Sequence, residues 1–270
     1  MLTNTALAAF RSLPPANATG DRPRARPPVP ATRRRIGMED AADARQTIEQ
    51  LALIERSVPL QRRVLRAGDS VHQAGQRFTH LYVANAGVFK IVNLTRDGRE
   101  QIVSLKFRGD WLGLDGIADG AHDCEAVALD TCEVWAIPYA ALLQSCASTP
   151  ALMSAFHEAM SREIARDRIS LMSVCTLPAD ARVAEFLRDW TLALARGGLR
   201  TDQITMRMTR AEIGSYLGLT LESVSRALSR MAREALIRFA DNGRRELQIP
   251  DVAALGSFVE RCLAPEAVFH

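Results

Sequence analysis

The sequence predicts an α+β chain: an antiparallel β region, then one long helix, then a pair of short helices closed by a hairpin. Three observations carry this. From about 60 to 138, short apolar runs alternate with turn signals, and Gly87, Gly98, Gly109 and Gly120 recur every eleven residues, as expected of short strands with regular turns. At Thr149-Pro150 the apolar spacing switches to a helical period. Beyond residue 205, two capped helical segments meet at a glycine.

Taken in order, residues 1–38 read as a tail. Up to residue 36 they hold six prolines, seven arginines and one acid, Asp21, too little apolar surface to offset the entropy of ordering. Two readings stand, an arm that grazes nucleic acid or an inert extension, and Met38 is a candidate start. Residues 39–57 predict a helix through Ile48, Leu51, Leu53 and Ile54. The β region follows, so the first folded domain is placed at 39–148. Its strands include Leu81-Tyr82-Val83, Val88 to Val92 and Ile102 to Leu105, and its fold is a barrel, sandwich or roll.

Thr149 is a good N-cap and Pro150 suits the first helical position. Leu152, Phe156, Met160, Ile164, Asp167 and Leu171 then recur three or four residues apart until Pro178, so 149–176 predicts one uninterrupted helix. Its stripe is either a parallel coiled-coil seam or a surface packed on its own domain. Spacing alone leaves both open. Asp167 interrupts the stripe, which would bring two carboxylates together in a parallel homodimer unless Arg166 and Arg168 pair with it.

The sharpest signal lies in 177–262. Thr209-Arg210-Ala211-Glu212 is a capping box, and its helix stops at Gly218. Thr220 opens a second helix reaching about Glu234. Two short helices joined at a glycine turn make a helix-turn-helix. Val224, Leu228 and Met231 form the buried side of the second helix, while Glu222, Ser225 and Arg226 share another face. Arginine can bond guanine O6 and N7, and glutamate can accept from cytosine N4, so these three are the candidate base contacts. A surface ion pair between Glu222 and Arg226 is the plain alternative; the helix-turn-helix frame outweighs it. Between 207 and 245 eight arginines face four acids, a local excess of four positive charges that favours a polyanion. Thr209, Thr220 and Arg230 are candidate phosphate contacts. Leu236 to Phe239 and Glu246 to Ile249 form a β-hairpin, the wing, with Arg244 and Arg245 at its tip as further phosphate contacts.

Composition bounds the rest. The chain has 270 residues, a formal net charge of +3 and 47% hydrophobic residues, enough for a real core. No apolar run approaches the ~18 residues of a membrane span, and no signal peptide is evident, so a cytoplasmic protein is expected. Only Lys90 and Lys106 are lysines among 34 basic residues. Arginine suits phosphate and guanine, though a GC-rich genome gives the same bias. Five cysteines without a C-x-x-C pair indicate neither a disulfide framework nor a zinc knuckle.

A glycine-punctuated β domain, a long helix and a winged helix-turn-helix together resemble the Crp/Fnr family of bacterial transcription regulators over roughly residues 45–255. The most specific stretch is Leu-Thr-Leu-Glu-Ser-Val-Ser-Arg at 219–226, similar to the FNR/FixK-type recognition helix with its E-x-x-S-R. The resemblance implies a cyclic-nucleotide-binding-like β-roll and a homodimer joined through Phe156, Met160, Ile164, Asp167 and Leu171. It further implies FNR-box-like palindromes in double-stranded DNA, control of low-oxygen, redox or nitrogen-oxide genes as an activator, and an RNA polymerase contact in the loop Leu94 to Arg99 through Thr95 and Asp97. An exposed polar turn is the bland account of that loop.

The resemblance also frames the sensor. Residues 1–123 hold no cysteine, and Trp135 stands where FNR proteins place a roll ligand, so a 4Fe-4S cluster, which needs thiolates, is excluded. The stretch 113–125, matching the cyclic-AMP phosphate cassette, has four carboxylates and no arginine or lysine, so cAMP is not expected. Haem stays open, with His72, His80 and His122 as candidates and His122 expected to be a solvated loop residue. Cys124 and Cys132 are either a redox pair or inert thiols. No metal site is expected. The rival from another class is a cupin-like metal-dependent enzyme with an accessory DNA-binding domain. It requires converging histidines and a carboxylate, and the chain has no H-x-H pair.

Overall fold

The computed structural model describes residues 38–95, 98–240 and 245–263. The 1–36 tail, Asp97 and Arg244 therefore lie outside the described residues. Helix α1 (Met38–Ser57) leads into eight strands: β1 (Gln61–Leu65), β2 (Ser70–His72), β3 (His80–Ala86), β4 (Phe89–Leu94), β5 (Glu100–Lys106), β6 (Trp111–Leu112), β7 (Glu125–Ala128) and β8 (Cys132–Pro138). One turn of helix, α2 (Gly116–Asp119), interrupts them before β7. The strands form two antiparallel sheets in the orders β1-β8-β3-β6 and β2-β7-β4-β5. The four glycines at eleven-residue spacing all take positive φ, between 72° and 88°, where a side chain would be strained.

Strand alternation makes the layers. Tyr82 and Ala84 of β3, with Val134 and Ala136 of β8, meet Val71, Phe89, Ile91 and Ala126 of the second sheet in one core cluster. The opposite faces of the same strands, through Leu81, Val83, Trp135 and Ile137, pack under helices. Those helices are α1, α3 (Tyr139–Ser148) and α4 (Pro150–Thr176). Helix α3 goes beyond the sequence expectation. Thr149 does stand at the N-cap of α4, but its hydroxyl makes no capping bond; Pro150 at the first helical position is as expected.

The α4 stripe divides in two. Phe156 is buried in its own protomer, its ring centroid 5.1 Å from that of Trp111, and Met160 packs half-buried against the same cluster. Phe156 is thereby removed from the surface available to a second chain, because Trp111 and the sheet already cover it. Ile164, Asp167 and Leu171 are exposed.

The C-terminal part comprises α5 (Ala179–Arg196), β9 (Gln203–Thr205), α6 (Arg210–Leu217), α7 (Leu221–Arg233), β10 (Arg238–Phe239), β11 (Glu246–Gln248) and α8 (Val252–Leu263). The wing is a three-stranded sheet ordered β10-β11-β9, so the two-stranded hairpin expected from the sequence gains β9. This part shares a core with the outer face of the second sheet, since Val92, Ile102 and Leu105 belong to the same buried cluster as Leu217, Val224 and Met231. Among the described residues no helix is long and apolar enough to cross a membrane.

Candidate nucleic-acid interface

The helix-turn-helix is built by its caps. Thr209 accepts from the Glu212 amide at 3.1 Å while the Glu212 carboxylate accepts from the Thr209 amide at 2.8 Å, the reciprocal box that satisfies two otherwise orphaned donors. Gly218 ends α6 at φ 63°, a left-handed cap that turns the chain within two residues into α7. The Thr220 hydroxyl accepts from Ser223 N–H at 3.2 Å. Both threonine hydroxyls are thus engaged in capping.

Helix α7 is fixed from beneath. Val224, Ala227, Leu228 and Met231 are all buried, which leaves its other face outward. Glu222 and Arg226 are exposed and Ser225 is half-buried. No ion pair joins Glu222 to Arg226 among the described residues; Arg226 instead approaches the Ser223 hydroxyl at 3.4 Å. The plain surface-pair account therefore does not hold in this structure. Arg210 of α6 donates to the Ser225 hydroxyl at 3.0 Å, placing a second guanidinium beside the outward face. Sequence spacing conceals this role of Arg210, because the residue lies inside the capping box.

Asp180, Ser225, Arg226, Ser229, Arg230 and Arg233 line one open trough. Arg230 is already paired, to Asp180 at 2.8 Å and Glu234 at 3.0 Å, and its guanidinium lies 5.4 Å above the Phe258 ring. A phosphate there would compete with two carboxylates. Arg245 is exposed beside the wing.

The helix-turn-helix is also tied to the β-roll. Lys90 of β4 pairs with Glu212 at 2.7 Å, Gln101 donates to the Ser215 carbonyl, and the Ser215 hydroxyl accepts from Ile102 N–H at 3.1 Å. The Glu212 carboxyl sits below its usual pKa: burial pushes it up, and the bonds from Lys90 and Thr209 outweigh that push. Sequence spacing carries no sign of these contacts. Thr95 closes the β4–β5 turn by accepting from Arg99 N–H at 3.1 Å.

Inside the roll, His122 is buried at 2% exposure, which corrects the expected solvated loop residue: the backbone holds it inward through Gln76 and Gly75. His72 is buried beside it, while His80 is half-buried and shares a 2.9 Å hydrogen bond with Thr79. Burial and the nearby Asp115 and Asp123 carboxylates push the Cys124 thiol up to about 11, and burial raises Cys132 as well. Both cysteines are free. A thiol held protonated is a poor nucleophile, so inert packing is the account that fits them.

A family model described as a Crp-like helix-turn-helix domain matches residues 181–258, and one described as a cyclic nucleotide-binding domain matches 62–149. Over 185 residues the chain is 32% identical to the fumarate and nitrate reduction regulatory protein of Escherichia coli (strain K12), covering 68% of this chain and 72% of that one. The fumarate nitrate reduction regulatory protein of Klebsiella oxytoca matches to the same extent. Among solved structures, FixK2 from Bradyrhizobium japonicum is similar with a TM-score of 0.66 at 23% identity, over 78% of this chain and 100% of that one. A CRP/FNR-family transcriptional regulator from Thermus thermophilus gives 0.59 at 18% identity, over 74% and 98%. Both domain types occur in the order that the β-roll and helix-turn-helix geometry requires, and the relatives are regulators rather than enzymes, which sets the cupin-like alternative aside. The chain belongs to the Crp/Fnr family of transcription regulators.

Proposed function

We propose that the protein acts as a homodimer that reads FNR-box-like palindromes of the TTGAT type and controls genes of low-oxygen, redox or nitrogen-oxide metabolism. The observation that carries this reading is the outward face of α7: Glu222, Ser225 and Arg226 are presented on a helix whose other face is anchored in the core. A rigid helix with a bidentate donor and a carboxylate acceptor on one face suits the major groove. Two copies about one DNA turn apart read a palindrome. The exposed Ile164 and Leu171 of α4 supply an apolar surface for the second copy. The names of the similar regulators support the class of genes.

The β4–β5 turn, through Thr95 and Asp97, is the proposed RNA polymerase contact, and the cytoplasm is where such a regulator meets DNA. For the effector, the stretch 113–125 offers four carboxylates and no cation, so we do not assign a cyclic nucleotide. The absence of cysteine before Cys124 argues against a 4Fe-4S cluster, and haem keeps only His72, His80 and His122 as axial candidates. The test is a gel shift at physiological salt: tight binding to the palindrome and weak binding to a scrambled duplex are expected. Equal binding to both would overturn the reading.

A further inference from the structure

Within the β-roll, away from the DNA-binding face, lies a cluster that the regulator reading does not use. His72 ends β2, His122 lies in the loop before β7, and each is 2% exposed. Their rings stack with centroids 3.9 Å apart and planes 19° from parallel. Neither nitrogen of His72 has a hydrogen-bond partner, nor has Nδ1 of His122. A buried polar atom without a partner has lost its hydration and gained no bond in exchange, so the His72 ring and the Nδ1 of His122 need an explanation.

Asp115 completes the group. Its Oδ2 accepts from the amides of Asp123 at 2.8 Å and Cys124 at 3.2 Å. Its Oδ1 faces His122 Nδ1 at 3.9 Å, too far for a hydrogen bond. One ligand atom from each of the three residues lies within 4.8 Å of the others. The walls hold the set in place: Phe78 meets the His122 ring edge-on with centroids 5.5 Å apart, and Tyr82 stacks on His72 at 5.8 Å. A Cβ at Gly113 would come within 2.9 Å of His122 Cε1, so only glycine lets the ring sit there.

We propose that His72, His122 and Asp115 form a binding site for one divalent transition-metal ion of the zinc or ferrous class inside the β-roll. Two borderline imidazole nitrogens beside one hard carboxylate oxygen favour Zn²⁺, Fe²⁺, Co²⁺ or Ni²⁺ over the all-oxygen sites of Mg²⁺ or Ca²⁺. The backbone amides on Oδ2 orient the carboxylate as an outer shell does. Asp115, at 27% side-chain exposure, is the member that reaches solvent and gives the ion its way in. Metal–ligand bonds of about 2.0–2.1 Å require the three groups to draw together, with one imidazole turning out of the stack.

The test uses the full chain, stripped with chelator and titrated with Co²⁺ as the probe. Expected are one equivalent bound per chain, ligand-field absorption, displacement by Zn²⁺, and a raised Tm on loading. Asp115→Asn, His72→Gln and His122→Gln should each weaken binding by roughly tenfold or more, while His157→Gln on the exposed surface of α4 should leave it unchanged. Asp115→Asn keeps an oxygen acceptor for the two amides, so it remains decisive if a histidine variant fails to fold. No stoichiometric uptake by the unaltered chain would overturn the proposal. So would binding that survives Asp115→Asn and disappears with Cys175→Ser, which would place the ion at the exposed thiol. DNA binding is read separately, by gel shift, and neither result depends on it.

Discussion

Leu171→Ala isolates what the exposed half of α4 does. Leu171 is 66% exposed, so in the single chain it contributes little, and its loss should change fold stability by no more than about 0.5 kcal/mol. Fully burying a leucine is worth roughly 1.5–3 kcal/mol, so covering the exposed two thirds gives about 1–2 kcal/mol per protomer. A symmetric parallel seam counts each residue twice, giving about 2–4 kcal/mol. At 1.4 kcal/mol per factor of ten this is roughly 30- to 700-fold in the dimer dissociation constant. Sedimentation equilibrium over a concentration series reads that shift directly, and thermal melting at fixed concentration reads the fold. Phe156→Ala is the contrast: the ring is buried against Trp111, so its loss should cost about 3–5 kcal/mol of fold stability. A Leu171→Ala dimer as tight as the unaltered one would refute the reasoning, since that side chain then meets no second copy.

Arg226→Ala should cost roughly 1–3 kcal/mol on the matched palindrome and relax choice at one base pair; a uniform loss on every duplex would remove it from base reading. Arg245→Ala should weaken all DNA alike and lower the salt slope by about one, measured by fluorescence anisotropy across salt. Asp167→Ala should tighten the dimer roughly two- to fivefold by removing a like-charge pair. Arg166 does not neutralise Asp167 through a contact, because it is committed to Asp110 at 2.6 Å; a weaker or unchanged dimer would leave Asp167 an ordinary surface residue. Replacing Thr95 and Asp97 should reduce transcription activation in vitro at unchanged DNA affinity, and parallel loss of both would exclude the polymerase contact. Asp110 and Glu212 both sit below their usual pKa. Their stabilisation is therefore fully present above the unfolded carboxylate range and lost as pH falls through the lowered folded values. The share of stability owed to these two carboxylates should be lost only below about pH 4. An earlier decline should start near pH 6.5, where unfolding lets the buried neutral His72 and His122 take up protons. Lys90→Met should reduce the Glu212 share; an identical acid profile for that variant would show that the Lys90–Glu212 pair does not stabilise the fold.

What the sequence reveals here is what is written locally. The capping box at Thr209 and Glu212, the glycine stop at Gly218 and the second cap at Thr220 each involve residues a few positions apart, and the structure places all of them as read. The turn glycines are local in the same sense. The three-residue strand β9 carries too few side chains for a period to register, so the third strand of the wing leaves no mark in the pattern. The apolar period of α4 shows which residues share a side but not what covers them, and the answer differs along one helix: Trp111 covers Phe156, while Leu171 meets solvent. His72 and His122 lie far apart in the sequence, and only strand pairing brings them together.

That pairing also sets the distance between the roll interior and the helix-turn-helix. His72 of β2 is in register with Ala126 of β7, and Ala126 is in register with Ile91 of β4. The next residue along β4 is Lys90, which pairs with Glu212 in the capping box of α6. Because successive side chains of a strand point to opposite faces, Ile91 faces the core between the sheets while Lys90 faces the helix-turn-helix. The neighbouring strand repeats the arrangement, with Ile102 N–H donating to Ser215. Two strand pairings and one ion pair thus separate the buried histidines from the box that starts the helix-turn-helix. A one-residue slip of β7 against β4 would turn their core side chains outward, so the hydrophobic pattern holds this register.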